Sequence, residues 1–127
     1  MGLSQPLQLI VLLAVHWLAD FVFQSHWMSV NKSKRLDALT LHIITYTAVL
    51  LLGSALVFGV YQIVPLAVFV GVNGVLHFAT DFVTSRITSR LWQQQREHLF
   101  FVTVGFDQLI HQVTLIATRW LIFAPAN

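Results

Sequence analysis

The chain has 127 residues, of which 57% are hydrophobic and only 9% are charged, and its mean hydropathy is +0.75. A soluble domain usually carries about 25% charged residues, so this composition nearly excludes a soluble globular protein. The formal net charge of +2 is too small to indicate nucleic-acid binding, and the lack of Cys excludes disulfides, thiolate metal sites and Cys nucleophiles.

Four long apolar stretches follow one another along the chain, each long enough to cross a bilayer as a helix. We place these helices at residues 6–24, 38–60, 63–83 and 99–123. Pro6 and Pro65 fall in first helical turns, where a missing N–H is harmless, and Pro125 follows the last helix. The sequence therefore predicts an all-α, polytopic membrane protein whose single domain, residues 1–127, is a four-helix transmembrane bundle.

Basic residues concentrate in the two longer predicted loops, residues 25–37 and 84–98. Six of the seven Lys and Arg residues lie there, namely Lys32, Lys34, Arg35, Arg86, Arg90 and Arg96. In a four-span chain these loops share one side, which the positive-inside rule makes cytoplasmic, with both termini outside. The segment around Ile87 and Leu91 fits an interfacial helix and a solvated loop equally well. The seventh basic residue, Arg119, is predicted to snorkel to the outer headgroups.

Three of the five acidic residues fall inside predicted spans, where an Asp near the helix centre costs about 2.5 to 3.5 kcal/mol in insertion. Each lies four residues from a His, in the pairs His16–Asp20, His77–Asp81 and Asp107–His111. Random placement of six His and four Asp residues predicts about 0.4 such pairs. Residues i and i+4 share one helix face, so each pair forms a polar stripe inside the membrane.

These pairs and His42 lie at similar depths when residues are counted from the cytoplasmic ends of the spans at about 1.5 Å each. Imidazole and carboxylate groups from facing helices are the ligands of known bundle-core metal sites. We predict one or two divalent ions, with zinc as the first candidate and manganese or iron as alternatives. The predicted ligands are His16, Asp20, His42, His77, Asp81, Asp107 and His111. Gln24, Tyr46 and Asn73 continue the same stripes and are predicted to orient the ligands.

Two other interpretations of the polar cluster stay open. The same residues would bind metal ions or protons transiently in a transporter or channel module. Asp–His hydrogen bonds without a metal would instead hold the helices together in a non-catalytic membrane interaction protein. His26 and His98, at the loop edges, are predicted to be interfacial. Small residues on the later helices are predicted to allow close helix packing, namely Gly53, Ala55, Gly71, Gly74, Ala79 and Gly105.

The ordered motifs HWLADFVFQSHWM, a basic loop with His42, HFATD and DQLIH resemble the domain of unknown function 3307 family, small bacterial and phage membrane proteins. This resemblance covers most of the chain, and it implies a bacterial or phage source and an inner-membrane location. It implies no particular activity. The segment GVLHFATDFVTS alone is similar to the HxxxDxxT segment of predicted membrane-bound metal-dependent hydrolases. That likeness implies metal-site roles for His77, Asp81 and Thr84, although the HR…THS-like signature of those hydrolases is missing here.

Together these observations predict a membrane-embedded, metal-dependent hydrolase that works near the cytoplasmic leaflet. The metal would activate water and polarise the substrate, and Asp81 or Asp107 would act as general base. The predicted partners are the bilayer and a lipid, a lipid-linked intermediate or a membrane peptide as substrate, and the basic loops would attract anionic headgroups. A homo-oligomer is compatible with the sequence.

Overall fold

The computed structural model describes residues 3–123, so Pro125 lies outside the described residues. Helix α1 spans Gln5–Trp17 and continues through a π-helical turn, Leu18–Val22. The other helices are α2 (His26–Asn31), α3 (Leu36–Phe58), α4 (Ile63–Gln93) and α5 (Glu97–Phe123). Helix α1 with its π-helical turn, α3, α4 and α5 are each long and apolar enough to cross a membrane. The prediction of an all-α protein with four membrane-spanning helices is confirmed.

Helix α4 is longer than the sequence analysis predicts, since it continues past Val83 to Gln93. Neither Gly nor Pro interrupts this stretch, and the hydroxyl of Thr88 donates back to the carbonyl of Thr84 within the helix. The predicted second basic loop is therefore mostly a straight extension of α4. The first basic loop also contains a helix, α2, whose N-terminal amide at Met28 donates to the Ser25 hydroxyl.

The four long helices pack in chain order, α1 on α3, α3 on α4, and α4 on α5. Side chains close the ring between α1 and α5, where Gln108 meets His16 and Arg119 donates to Gln8. Gln5 and Phe123 line one cavity, so the first and last helices have their outer tips at the same end. We call this the far end, and we call the opposite end, which carries the basic loops, the basic end.

The outside of the bundle is covered by apolar side chains. Leu56 and Leu121 are 87% and 83% exposed, and Phe101 and Ile63 are also largely exposed. Such a surface suits the hydrocarbon of a bilayer, where the backbone polar groups are already satisfied within the helices. The protein is therefore a membrane protein whose polar groups are turned inward.

Two glycines mark the closest approaches between helices. A Cβ atom on Gly53 of α3 would lie 2.5 Å from both methyl carbons of Val15, and one on Gly74 of α4 would lie 2.6 Å from Cγ2 of Thr47. These two positions fit the prediction of close packing. Gly71 and Gly105 do not, because nothing lies within 4 Å of a Cβ at either position.

We expect Gly53→Ala to lower the free energy of unfolding by about 1 to 3 kcal/mol, because the new methyl group overlaps the stiff Val15 side chain. Gly105→Ala is the matched control. It should leave stability unchanged or raise it by up to about 1 kcal/mol, because Ala favours the helix and meets no neighbour. Unfolding of the detergent-purified variants by SDS titration measures both. Equal effects of the two substitutions would contradict the close contact of α1 with α3.

Candidate metal centre

The seven predicted ligands converge in the half of the bundle nearer the basic end. His16 lies on α1, Asp20 on the π-helical turn that follows it, His42 on α3, His77 and Asp81 on α4, and Asp107 and His111 on α5. Six of the seven residues, all except Asp107, are at most 3% exposed. The Asp107 side chain is 15% exposed. Turns with π-helical hydrogen bonding often occur at functional sites, and this one carries a buried carboxylate.

Three donor atoms from three helices form a nearly equilateral triangle. His42 Nε2 lies 3.1 Å from Asp20 Oδ1, and His77 Nε2 lies 3.2 Å from the same oxygen. The two Nε2 atoms are 3.2 Å apart. Asp81 lies beside this triangle, with Oδ2 at 3.3 Å from His42 Nε2 and Oδ1 at 3.7 Å from His77 Nε2.

These spacings match the donor set of a zinc site. With metal–ligand bonds of about 2.0 to 2.1 Å, adjacent donors of a tetrahedral site lie about 3.3 Å apart. Asp20, His42, His77 and Asp81 form one group that could hold a metal ion. Without a metal, the Nε2–H groups of two neutral imidazoles would each donate to Asp20 Oδ1. With a metal, lone pairs of all three atoms would face one cation.

A second group that could hold a metal shares Asp20 and adds Asp107 and His111 from α5. His111 Nε2 lies 3.1 Å from Asp81 Oδ1 and 3.4 Å from Asp107 Oδ1. Its ring stacks on His77, with centroids 3.9 Å apart and planes tilted by 13°. His111 therefore joins the carboxylate of α5 to the carboxylate of α4.

His16 differs from the other predicted ligands because it belongs to neither group. Its Nε2 is 3.9 Å from Asp20 Oδ2 and 3.2 Å from Gln108 Oε1, while its Nδ1 lies 3.3 Å from the Tyr46 hydroxyl. Tyr46 also stacks on His77 at 3.9 Å between centroids. Tyr46 thus contacts two histidine rings, and its role in orienting ligands stays a prediction.

Within residues 3–123, the other two predicted orienting residues form no hydrogen bond to a predicted ligand. The side-chain amide of Asn73 donates to Thr118 Oγ1 and to the carbonyl of Phe69, both at 2.8 Å, so it joins α4 to α5 one turn away from His77. Gln24 follows the π-helical turn, and its Oε1 is buried with no hydrogen-bond partner in the part of the chain that the structure describes.

Two polar residues of the centre are missed by the sequence analysis. Lys32 Nζ donates to Asp81 Oδ2 at 2.7 Å, although its sequence position indicates only a loop charge. The Gln108 amide donates to Asp20 Oδ2 at 2.8 Å and to Asp107 Oδ2 at 3.2 Å. Thr84, suggested only by the hydrolase likeness, donates to Asp107 Oδ1 at 2.6 Å. Spacing along the chain carries no signal for Lys32, since it approaches the cluster from a loop.

The second ring nitrogens of His42 and His77 distinguish this centre from most zinc sites. Both Nδ1 atoms are buried without a hydrogen-bond partner among residues 3–123. A metal-bound histidine usually donates from its other nitrogen to a carboxylate, carbonyl or water. Packing sets the His77 ring instead, because it is held between Tyr46 and His111.

A cavity of about 800 Å³ connects the cluster to the basic end. All three carboxylates of the cluster line it, together with Lys32 and Lys34. Hydroxyl groups and aromatic rings complete its walls, contributed by Ser33, Thr84, Ser85, Thr88, Ser89, Phe21, Trp92, Phe100 and Phe101. The lining residues come from the end of α1, from α2 and the loop after it, from the start of α5 and from the adjoining face of α4. The cavity therefore combines a charged floor with partly apolar walls.

Fold and site define a four-helix membrane protein with a buried His/Asp centre. The chain belongs to the family described as Protein of unknown function (DUF3307), whose model matches residues 8–127. This confirms the family resemblance seen in the sequence. No curated protein and no solved structure matches the chain, so the likeness to membrane-bound hydrolases gains no support from these comparisons.

Replacement of Gln108 by Leu should lower the free energy of unfolding by about 1 to 3 kcal/mol, because buried polar atoms of His16 and Asp20 lose their partner. Gln112→Leu is the matched control, since Gln112 is exposed one turn later on α5. It should change stability by less than about 0.5 kcal/mol. SDS-induced unfolding of both variants tests this. Unchanged stability of the Gln108→Leu variant would contradict the hydrogen bonds of Gln108 to His16 and Asp20.

Proposed function

We propose that this protein is a membrane-embedded hydrolase that holds one divalent cation, preferably zinc, and acts on an amphiphile with an anionic headgroup. The observation that carries this proposal is the triangle of Asp20 Oδ1, His42 Nε2 and His77 Nε2 beside a cavity that reaches the basic end. Two histidines and one carboxylate, with the fourth position left for water or substrate, are the pattern of catalytic zinc sites.

Charge balance supports a single ion. The cluster contains three carboxylates, Asp20, Asp81 and Asp107, and one ammonium group, from Lys32. One divalent cation brings this set to a net charge of zero with all four histidines neutral. A second divalent cation would leave an excess positive charge in a membrane interior, where isolated charge is costly. One ion therefore fits the cluster better than two.

Bound zinc would lower the pKa of water and polarise the bond to be cleaved. Asp107 accepts the proton of the attacking water, since it is the most exposed carboxylate of the cluster and Thr84 holds its Oδ1. Asp81 orients that water, because Lys32 and His111 hold its two oxygens in place. His111, within reach of both carboxylates, keeps them aligned as the proton moves.

The cavity favours a substrate from the membrane. Lys32 and Lys34 provide positive charge for a phosphate or carboxylate headgroup. Phe21, Trp92 and Phe101 line the same cavity and are also exposed on the outside, where an acyl chain would lie. By the positive-inside rule, we place this entrance in the cytoplasmic leaflet of a bacterial inner membrane.

The packing on the far side of the cluster favours hydrolysis over ion transport. Leu12, Leu50, Phe69 and Leu115 are almost completely buried there, each one or two helical turns from a histidine of the cluster. A transported ion would meet few polar side chains there, namely Ser54, Asn73 and Thr118, and the last two are already bonded to each other. Its loss of solvation would therefore be costly. A site reached from one side suits a hydrolase better.

Elemental analysis of detergent-purified protein should find about one zinc per chain. Asp20→Asn and His77→Ala should lose it, because each removes a corner of the triangle. Asp107→Asn and Asp81→Asn should retain it, since these carboxylates act on water in our proposal. His98→Ala, at an exposed histidine, is the control. Metal loss in Asp81→Asn as well would indicate a closed four-ligand structural site, and metal-free wild-type protein after zinc supplementation would refute the proposal.

Hydrolysis of phospholipids or lipid-linked phosphates in mixed micelles should fall at least about 100-fold in Asp107→Asn, because the proton acceptor is lost. Asp81→Asn should show a comparable loss. Both variants must stay folded and keep their zinc for the comparison to count, so unfolding and metal content are measured on the same samples. Undiminished turnover in both variants would rule out the catalytic roles assigned to them.

A further inference from the structure

A second charged site lies at the far end of the bundle, away from the cluster. Arg119 on α5 is only 3% exposed, so it does not extend to the outer headgroups as the sequence predicts. Its Nη2 donates to Gln8 Oε1 on α1 at 2.7 Å. Its Nε and Nη1 are buried and have no hydrogen-bond partner among the residues that the structure describes. Two nitrogen atoms of this permanently charged guanidinium therefore have no acceptor among these residues.

No carboxylate within residues 3–123 is placed to neutralise this guanidinium. On α5 the preceding acid, Asp107, is three turns away, about 18 Å along the helix. Asp20 and Asp81 belong to the same distant cluster. The Trp120 ring lies 4.8 Å from the guanidinium carbon and gives partial stabilisation, but it offers no hydrogen-bond acceptor. A buried charge without a partner is strongly unfavourable, so a counter-ion is expected.

Arg119 lines a cavity of about 390 Å³. Three side-chain amides, from Gln5, Gln8 and Gln62, line it beside Arg119. The remaining walls are apolar and come from Val57, Phe58 and Phe123. The Gln8 and Gln62 amides each donate one N–H to a backbone carbonyl, of Leu3 and Phe58, and each has a second N–H left. A guanidinium with amide N–H groups beside it is a donor set that suits an oxyanion. Gln5 and Gln62 are exposed, so the cavity opens at the far end.

We propose that this cavity is a binding site for a phosphate oxyanion, supplied by the headgroup of a phospholipid in the leaflet at the far end. The planar guanidinium of Arg119 pairs with two phosphate oxygens, and the glutamine amides contact the others. The apolar wall of Val57, Phe58 and Phe123 faces the glycerol and the upper acyl chain. This site is independent of the hydrolase proposal, because it shares no residue with the His/Asp centre.

Native mass spectrometry of the detergent-purified chain tests the proposal. The probes are dioleoyl phosphatidylglycerol, dioleoylglycerol as the matched lipid without phosphate, and inorganic phosphate. Wild type should retain the phosphate-bearing lipid saturably and dioleoylglycerol weakly. In Arg119→Met, affinity for one phospholipid per chain should fall roughly 30-fold or more. Arg96→Gln, at an exposed basic residue of the basic end, should retain that lipid and controls for general charge attraction.

Inorganic phosphate separates the two sources of the oxyanion. Weak competition by millimolar phosphate supports a lipid ligand, whereas full displacement of the lipid overturns the lipid assignment in favour of a soluble anion. Arg119→Lys keeps the charge without the fork and should show an intermediate affinity. Thermal unfolding of lipid-free protein is a further test. In it, Arg119→Met should be at least as stable as wild type. Lower stability with unchanged lipid retention would show a purely structural arginine and refute the site.

Discussion

The constraint on which this structure depends is the burial of three carboxylates inside an apolar membrane bundle. Asp20, Asp81 and Asp107 come from different helices, yet their side chains meet within a single polar cluster. Such a cluster is stable only when opposite charge or hydrogen-bond donors compensate it. Three features meet this requirement. Lys32 reaches back from its loop to Asp81, the Gln108 amide lies between two carboxylates, and the histidines converge on the cluster.

The two ends of the bundle handle charge in opposite ways. At the basic end, excess negative charge attracts cations, first Lys32 and, in our proposal, a zinc ion. At the far end, the buried Arg119 has no acid nearby among residues 3–123 and, in our second proposal, binds an anion. Between the two ends lie mainly Leu and Phe side chains, with a few polar ones, Ser54, Asn73 and Thr118. This mainly apolar layer makes a continuous ion path through the bundle unfavourable.

Membership of the DUF3307 family does not indicate a reaction, so the proposed function rests on the geometry of the donor atoms. In that proposal, chemically similar residues have different roles. Asp20 faces two histidine nitrogens with one oxygen, whereas both oxygens of Asp81 are held by Lys32 and His111, and Asp107 borders the cavity. In our proposal, environment and not residue type distinguishes a ligand from a proton acceptor.

The sequence by itself determined the four spanning helices and the three i, i+4 His–Asp pairs, because hydrophobic length and helix periodicity are local properties. Only the tertiary structure decided which atoms meet. Four features depend on distances between helices. They are the π-helical turn at Asp20, the contact of Lys32 with Asp81, the hydrogen bond of Asn73 to Thr118 and the burial of Arg119. Those distances follow from side-chain packing between segments far apart in the chain, and spacing along one helix does not encode them.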